Sequence, residues 1–289
     1  MTIDGPWIPS VVTMDLSGLG IASLLLSLLV IAVRPLPAPA LGPVGLDPVC
    51  AAFLTTKVTD GDERVRVLGC DPAGRGRAVV AIGDVATAAN VVVLVPGSDI
   101  DLHTLDGSPR RPMTWARSLA ASVGRDTVVV LWVGYETPQG LGYDAAAGRL
   151  ARAAAPALVA EVAALRAGGA RHVTVVGHSY GSVVVGIAAP ALDADDLVLL
   201  ASPGVRAESV EDLHTRARVW VARAGQDWIR FVPHVRLGDL GHGADPAAPG
   251  FGARPLPVDG LRAHDGYLLP GSPTLAAVAG IARGEATRP

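Results

Sequence analysis

The 289-residue chain carries 24 Lys and Arg against 27 Asp and Glu, a formal net charge of -3 at pH 7. Its arginines are scattered and form no basic stripe, which excludes nucleic acid as an electrostatically held partner. Hydrophobic residues make up 50% of the chain and charged ones 18%, more apolar than a fully solvated domain requires.

The excess is concentrated in Leu16 to Val33, an uncharged run of about 18 residues, within the range needed to span a bilayer, closed by Arg34 and the Pro35 to Ala40 stretch. Two readings stay open. Ala38-Pro39-Ala40 resembles a signal-peptide cleavage site, and cleavage there would release a secreted protein. The residues ahead of the run include Asp4 and Asp15 but no Lys or Arg, which favours a retained single-span membrane anchor in residues 1–35. The side of the membrane is not fixed. Arg34 argues for an internal domain, whereas Cys50 and Cys70 would be free to form a disulfide if the domain were exported.

Residues 36–60 read as a Pro- and Gly-containing linker, and residues 61–289 as one α/β domain. Arg64 to Cys70 and Arg77 to Gly83 are predicted strands around the turn-forming Asp71 to Gly76, a hairpin. Asn90 to Val95 and Thr127 to Val133 are near-continuous apolar runs, as expected of strands buried on both faces. Between them Pro112 to Ser122 has helical spacing. Asp144 to Arg166 is a predicted Ala-rich helix with Asp144 as N-cap and Gly168-Gly169 as its stop. Val173 to Val176 is the next strand, followed by a helix, a strand ending at Ala201, a short Ser209 to Thr215 helix and a strand from Arg218 to Ala222. Residues 232–260 read as a loop on the pocket rim, with a strand near Arg254 to Val258, and Pro273 to Arg283 closes the domain as a helix. Strands alternating with helices at this spacing imply right-handed βαβ units, a mostly parallel sheet and helices on both faces. About 15 residues link the Asp196 and Arg218 strands, too few for a large cap domain.

Gly177-His178-Ser179-Tyr180-Gly181 has the pattern G-x-S-x-G and sits between the valine strand and a helix, the setting of a nucleophile elbow. Ser179 is therefore the candidate nucleophile, and the NH of Tyr180, at the helix N-terminus, a candidate oxyanion donor. The Pro96-Gly97-Ser98 turn ends another strand at the same edge of the sheet, and the NH of Ser98 is the second candidate donor. A serine hydroxyl needs an imidazole to take its proton and an acid to orient that imidazole. Asp227, in the turn beyond the Arg218 strand, is the candidate acid, with Asp195 or Asp196 in reserve. His264, between the last strand and the last helix, is the candidate base. His234 and His242 read as surface or rim residues and His178 as a packing residue pointing away from the relay, while His103, His172 and His214 have no catalytic setting. No metal-binding spacing is present, and the chemistry needs no cofactor.

The Cys70 to Gly76 turn, Val93 to Gly97, Leu131 to Pro138, Val176 to Ser182, Gly243 to Pro246, Phe251 to Ala253 and His264 to Leu268 together resemble the α/β-hydrolase superfamily. More narrowly they resemble an actinobacterial branch catalogued as a domain of unknown function. The resemblance covers about Val67 to the C-terminus and implies a Ser179, Asp227, His264 triad in an esterase- or lipase-like fold acting on a small-molecule or lipid-like ester. The same machinery serves a peptidase, an amidase or an acyltransferase. A silent hydrolase-fold protein that binds a ligand at the membrane is the alternative from another class. The sequence sets neither the substrate nor the oligomeric state.

Overall fold

Strands made of apolar, mostly β-branched residues that bury both faces form the middle of the sheet, and alternating strands form its margin. In the computed structural model, which describes residue 38 and residues 41–285, these are β1 (Val65–Asp71), β2 (Arg77–Ile82), β3 (Asn90–Val95), β4 (Thr127–Val133), β5 (His172–His178), β6 (Asp196–Leu200), β7 (Arg218–Ala222), β8 (Arg236–Leu237), β9 (Leu240–Gly241) and β10 (Arg254–Pro255). All seven residues of β4 and all five of β6 are buried. The expected apolar anchor, Leu16 to Val33, lies outside the described residues. Among the described residues no helix is long and apolar enough to cross a membrane.

Eight strands form one sheet in the order β1-β2-β4-β3-β5-β6-β7-β10. The β1–β2 and β2–β4 pairs are antiparallel and every later pair is parallel, as the hairpin and the βαβ spacing imply. Side chains alternate between the faces, so Val92, Leu94, Leu131 and Val176 enter one core while Val91, Val93, Val130 and Val175 enter the other. The first core is covered by α1 (Pro48–Val58), α2 (Pro112–Val123) and α6 (Pro273–Ala282), the second by α4 (Arg149–Ala167) and α5 (Tyr180–Ala188).

Three expectations are corrected. Residues 36–60 are not wholly a linker, because α1 occupies Pro48–Val58. Asp47 caps it by accepting from the Cys50 NH at 2.8 Å, Pro48 sits at the helix start, where its missing NH costs nothing, and Cys50, Leu54 and Val58 form the buried i, i+4, i+8 face. Cys50 is joined to Cys70 of β1 by a disulfide. Second, the Ala-rich helix starts at Arg149. Tyr143–Ala146 is a separate turn, α3, because the Ala147 carbonyl turns to accept the Tyr180 hydroxyl at 2.7 Å and the Gly148 NH is taken by the Asp239 carbonyl. Asp144 instead pairs with Arg149. Third, the expected Ser209 to Thr215 helix is a single 3-10 turn, Glu211–Leu213, and β10 is two residues long.

The β8–β9 hairpin stands outside the main sheet. It is held at its base by Asp239, fully buried, which pairs with Arg152 at 2.5 Å and Arg206 at 3.2 Å. Burial pushes the Asp239 carboxyl up, but the Arg152 hydrogen bond and the two guanidinium charges outweigh it and hold it below the usual range.

The 20-residue separation of Cys50 and Cys70 gives a loop-closure contribution of about 3 kcal/mol. Replacing both by alanine should lower the unfolding free energy by about that amount. Urea titration with and without the bond tests this, and equal midpoints would mean that α1 docks without it.

Candidate active site

At the end of β5 the chain must reverse into α5 within one residue, and Ser179 takes that turn with φ 53° and ψ -127°. A serine in this region stores on the order of 1–3 kcal/mol, so its surroundings must enforce it. The Ser179 NH donates to the Leu200 carbonyl at 2.9 Å. Its own carbonyl accepts the Ser182 NH at 3.0 Å and the Ser182 hydroxyl at 2.6 Å. The two flanking glycines make room: a Cβ on Gly177 would lie 2.7 Å from Ser182 Cα, and one on Gly181 would lie 2.2 Å from the Val95 carbonyl oxygen.

The loop after β3 packs directly on this turn. A Cβ on Gly97 would lie 2.7 Å from Ser179 Cβ and 3.0 Å from the Tyr180 nitrogen. The loop is fixed from below by the buried Tyr135 hydroxyl, which donates to the Pro96 carbonyl at 2.7 Å. Ser98, Ser179 and Tyr180 consequently share one cavity wall. The Tyr180 NH opens α5 and so has no intrahelical acceptor.

Three residues that are remote in sequence meet here. His264 Nε2 is 3.0 Å from Ser179 Oγ, and its Nδ1 is 2.9 Å and 3.1 Å from the two Asp227 carboxylate oxygens. Asp227 is fully buried and also accepts the Ile229 NH at 3.0 Å and the Tyr267 hydroxyl at 2.7 Å. Burial alone would raise its carboxyl. The hydrogen bond and charge of His264, joined by the Ile229 NH and the Tyr267 hydroxyl, more than reverse that and hold it below the ordinary range. Tyr267 is in turn fixed by the Ala224 NH, which donates to its oxygen at 2.8 Å. Sequence reasoning gave Tyr267 no role, since an isolated tyrosine three residues past a histidine carries no pattern of its own. Asp195 and Asp196 sit at the opposite end of β6, where they pair with Arg166 and Arg218.

His178 is buried as expected but does not turn away from the site. Its Nε2 donates to the His264 carbonyl at 2.7 Å, its ring lies 5.0 Å from that of His264 and 4.7 Å from Trp115, and it therefore fixes the backbone that carries the imidazole. Burial, helped by the charge of His264, lowers its pKa to about 3. Nor is His242 a surface residue. It is 2% exposed, its Nε2 meets the Ala145 carbonyl at 2.8 Å and its ring is edge-on to Tyr180 at 5.7 Å; burial lowers its pKa to about 4. His234 is half-buried near Asp245.

Two cavities meet at Ser179. One, of about 510 Å³, is lined by Ser108, Arg110, Arg111, Trp115, His264 and Asp265 among others, mostly polar side chains. The other, of about 360 Å³, is apolar, walled by Leu141, Ile229, Val232, Val235, Leu237 and Leu240. Trp228 borders both, with its ring 4.7 Å from that of His264. Among the described residues there is no cluster of His, Cys, Asp or Glu able to hold a metal ion.

A family model described as alpha/beta hydrolase matches residues 71–237, a span that includes Ser98, Ser179, Tyr180 and Asp227 and stops short of His264. An uncharacterized protein of Mycobacterium tuberculosis, in strain H37Rv and again in strain CDC 1551, is 34% identical over 247 residues, 73% of this chain and 37% of its own length. The chain thus spans little more than a third of the curated relatives it matches. Similar solved structures include carboxyl esterase 2 from the fungus Tuber melanosporum, 13% identical with a TM-score of 0.46 over 83% of this chain and 98% of that one. An esterase of Pyrobaculum calidifontis is 15% identical with a TM-score of 0.47 over 82% and 91%.

Two outcomes follow from the buried polar groups. His178 and His242 titrate in the fold well below the value near 6.5 of a free imidazole. The unfolded chain therefore binds protons where the folded one does not, and stability falls as pH drops from about 6.5 towards 4. His172 has the opposite sign: its hydrogen bond to Asp196 raises its pKa, so its contribution is complete below about 6.5 and is lost at higher pH. The slope of the unfolding free energy near pH 5.5, above the range where the lowered Asp carboxyls join in, should correspond to an uptake of about two protons on unfolding, and of about one in His242→Asn. Tyr267→Phe removes one donor from Asp227 and orphans the Ala224 NH, a loss of about 1–3 kcal/mol of stability, readable by urea titration.

Proposed function

We propose that this chain, which belongs to the alpha/beta hydrolase family, is a serine hydrolase of carboxylic esters that works through an acyl-enzyme. The observation that carries the reading is the imidazole of His264, 3.0 Å from the Ser179 hydroxyl on one side and 2.9 Å from a buried carboxylate on the other. With Nδ1–H held by Asp227, Nε2 is the basic nitrogen. It takes the Ser179 proton as the hydroxyl adds to the acyl carbon, and Asp227 stabilises the imidazolium so formed. The NH groups of Ser98 and Tyr180 receive the developing oxyanion. His264 then protonates the departing alkoxide, and water, activated by the same imidazole, releases the acid.

The direction of that proton transfer assigns the two cavities. A leaving oxygen protonated by His264 must lie on its side, so the alcohol portion occupies the cavity lined by Arg110, Arg111 and Trp115. The acyl chain occupies the apolar cavity beside Tyr180. At about 360 Å³ that cavity is at the small end for ligand sites, which favours short to medium chains for esters in free solution.

We also propose that the domain lies in an oxidising compartment, a reading supported by the Cys50–Cys70 disulfide. Leu16 to Val33 is its proposed single-span anchor, with the single Arg34 outweighed as a topogenic signal.

A fluorophosphonate should label the protein on Ser179 and fail to label Ser179→Ala. With p-nitrophenyl esters of increasing length, kcat/KM should peak at short to medium chains, and His264→Ala should lower kcat by roughly 10⁴-fold or more. Labelling that survives Ser179→Ala, or an unaffected His264→Ala, would sink the assignment, while rates climbing steadily to long chains would sink the chain-length reading alone.

A further inference from the structure

Outside the neighbourhood of the disulfide, where Leu46, Val49, Phe53 and Leu68 are exposed, every exposed large hydrophobic among the described residues comes from two short segments at one mouth. They are Leu141 and Tyr143 on one side and Trp228, Phe231, Val235 and Leu237 on the other, with Leu141 80%, Phe231 74% and Val235 64% exposed. Four of the six, Leu141, Trp228, Val235 and Leu237, also wall the apolar cavity at Ser179. The cavity therefore opens onto an apolar surface continuous with its own lining. Exposed apolar residues scattered singly need no explanation, but a rim gathered at one opening marks a docking face.

The exposed charges on the 228–241 side of that rim share one sign. Between Trp228 and Gly241 the exposed charged side chains are Arg230 and Arg236, while the one carboxylate, Asp239, is buried and paired with Arg152 and Arg206. Arg230 lies over the Phe231 ring at 4.6 Å, so the cation and the most exposed aromatic of the segment travel together. On the facing side Asp144 is neutralised by Arg149. Asp99 is exposed and accepts the Gly140 NH beside Leu141 at 2.8 Å, and Asp265 lies 3.6 Å from Arg110; both carboxylates line the polar cavity. An apolar centre with a cationic edge is complementary to a surface with an apolar interior and an anionic face.

We propose that the segment 228–237, together with Leu141 and Tyr143, docks this domain on an anionic lipid surface, with the mouth of the Ser179 cavity facing the lipid. A second copy of the chain is a poor occupant, because a two-fold contact of this patch with itself would set Arg230 and Arg236 of each copy against those of the other. Docking does not depend on the hydrolytic reading, since it uses none of the Ser179, His264 or Asp227 atoms.

Both native cysteines are in the disulfide, so one added thiol can be labelled selectively. Phe231, which borders neither cavity, is replaced in the full-length chain by cysteine carrying an environment-sensitive nitrobenzoxadiazole. A second protein carries the same label at Glu63→Cys, on the loop into β1. Vesicles of equal parts phosphatidylglycerol and phosphatidylcholine should blue-shift and brighten the label at 231, and nitroxides on the lipid tails should quench it, with neither effect at 63. An anchor formed by Leu16 to Val33 would bring both labels near the vesicle without burying either. Pure phosphatidylcholine should give a much weaker response. Arg230→Gln and Arg236→Gln should each weaken the response to the anionic vesicles about fivefold, and Ser179→Ala should leave it unchanged.

A label at 231 that stays as wet as the one at 63 overturns the proposal. So does burial of that label without vesicles, whether it tracks protein concentration, as a second copy requires, or not, as the chain's own N-terminal run requires. Turnover of a monomeric short ester, measured on the unlabelled wild-type protein, reports separately on the hydrolytic reading.

Discussion

The strained backbone at Ser179 is the constraint around which this half of the molecule is arranged. A non-glycine residue at φ 53° persists only where its neighbours over-determine it, and they do so from three directions: β6 accepts its NH, Ser182 takes its carbonyl twice, and the loop after β3 packs against its Cβ. The first and third supports depend on parallel neighbours in register, Val95 beside Gly177 and His178 beside Leu200. The sheet thus builds the turn, and the turn lifts one hydroxyl out of the backbone into reach of an imidazole supplied by a distant loop.

A second layer of polar contacts keeps the imidazole from drifting. Asp227 holds one edge of the ring, the Trp228 ring lies against it, and His178 fixes the His264 carbonyl. Tyr267 ties the acid to the Ala224 backbone. Asp227 also heads the 3-10 turn Trp228–Phe231 by accepting the Ile229 NH. One carboxylate therefore serves the histidine and the segment that carries the exposed rim. Such shared supports place a site to within tenths of an ångström, and every member must be satisfied because each unpaired buried group is costly.

The strands and the order of the elements were legible because apolar periodicity dominates them. The runs Asn90 to Val95 and Thr127 to Val133 admit no other reading at their length. The meeting of Ser179, Asp227 and His264 was legible for a different reason: the elbow pattern fixes the serine, and chain order and strand-end placement narrow its partners. What escaped depends on tertiary contacts that leave no local trace. The α1 helix hides in a stretch read as linker because its buried face is only Cys50, Leu54 and Val58. The late start of α4 depends on Tyr180 and Asp239, 30 to 90 residues away. His178 and His242 look like ordinary neighbours of glycines until the fold seals them in. Tyr267 becomes informative only when Asp227 arrives beside it.

The β8–β9 hairpin forms a wall of the apolar cavity through Leu237 and Leu240, and a mobile flap would be the natural guess for a short ribbon outside the main sheet. The buried Asp239, clamped between Arg152 and Arg206, makes that costly. Swinging the ribbon outward would hydrate the carboxylate it carries, but it would break both ion pairs and strip the Arg206 guanidinium of the Gly238, Asp239 and Gly241 carbonyls. The ribbon is thus bolted masonry, a fixed wall of the apolar cavity rather than its door.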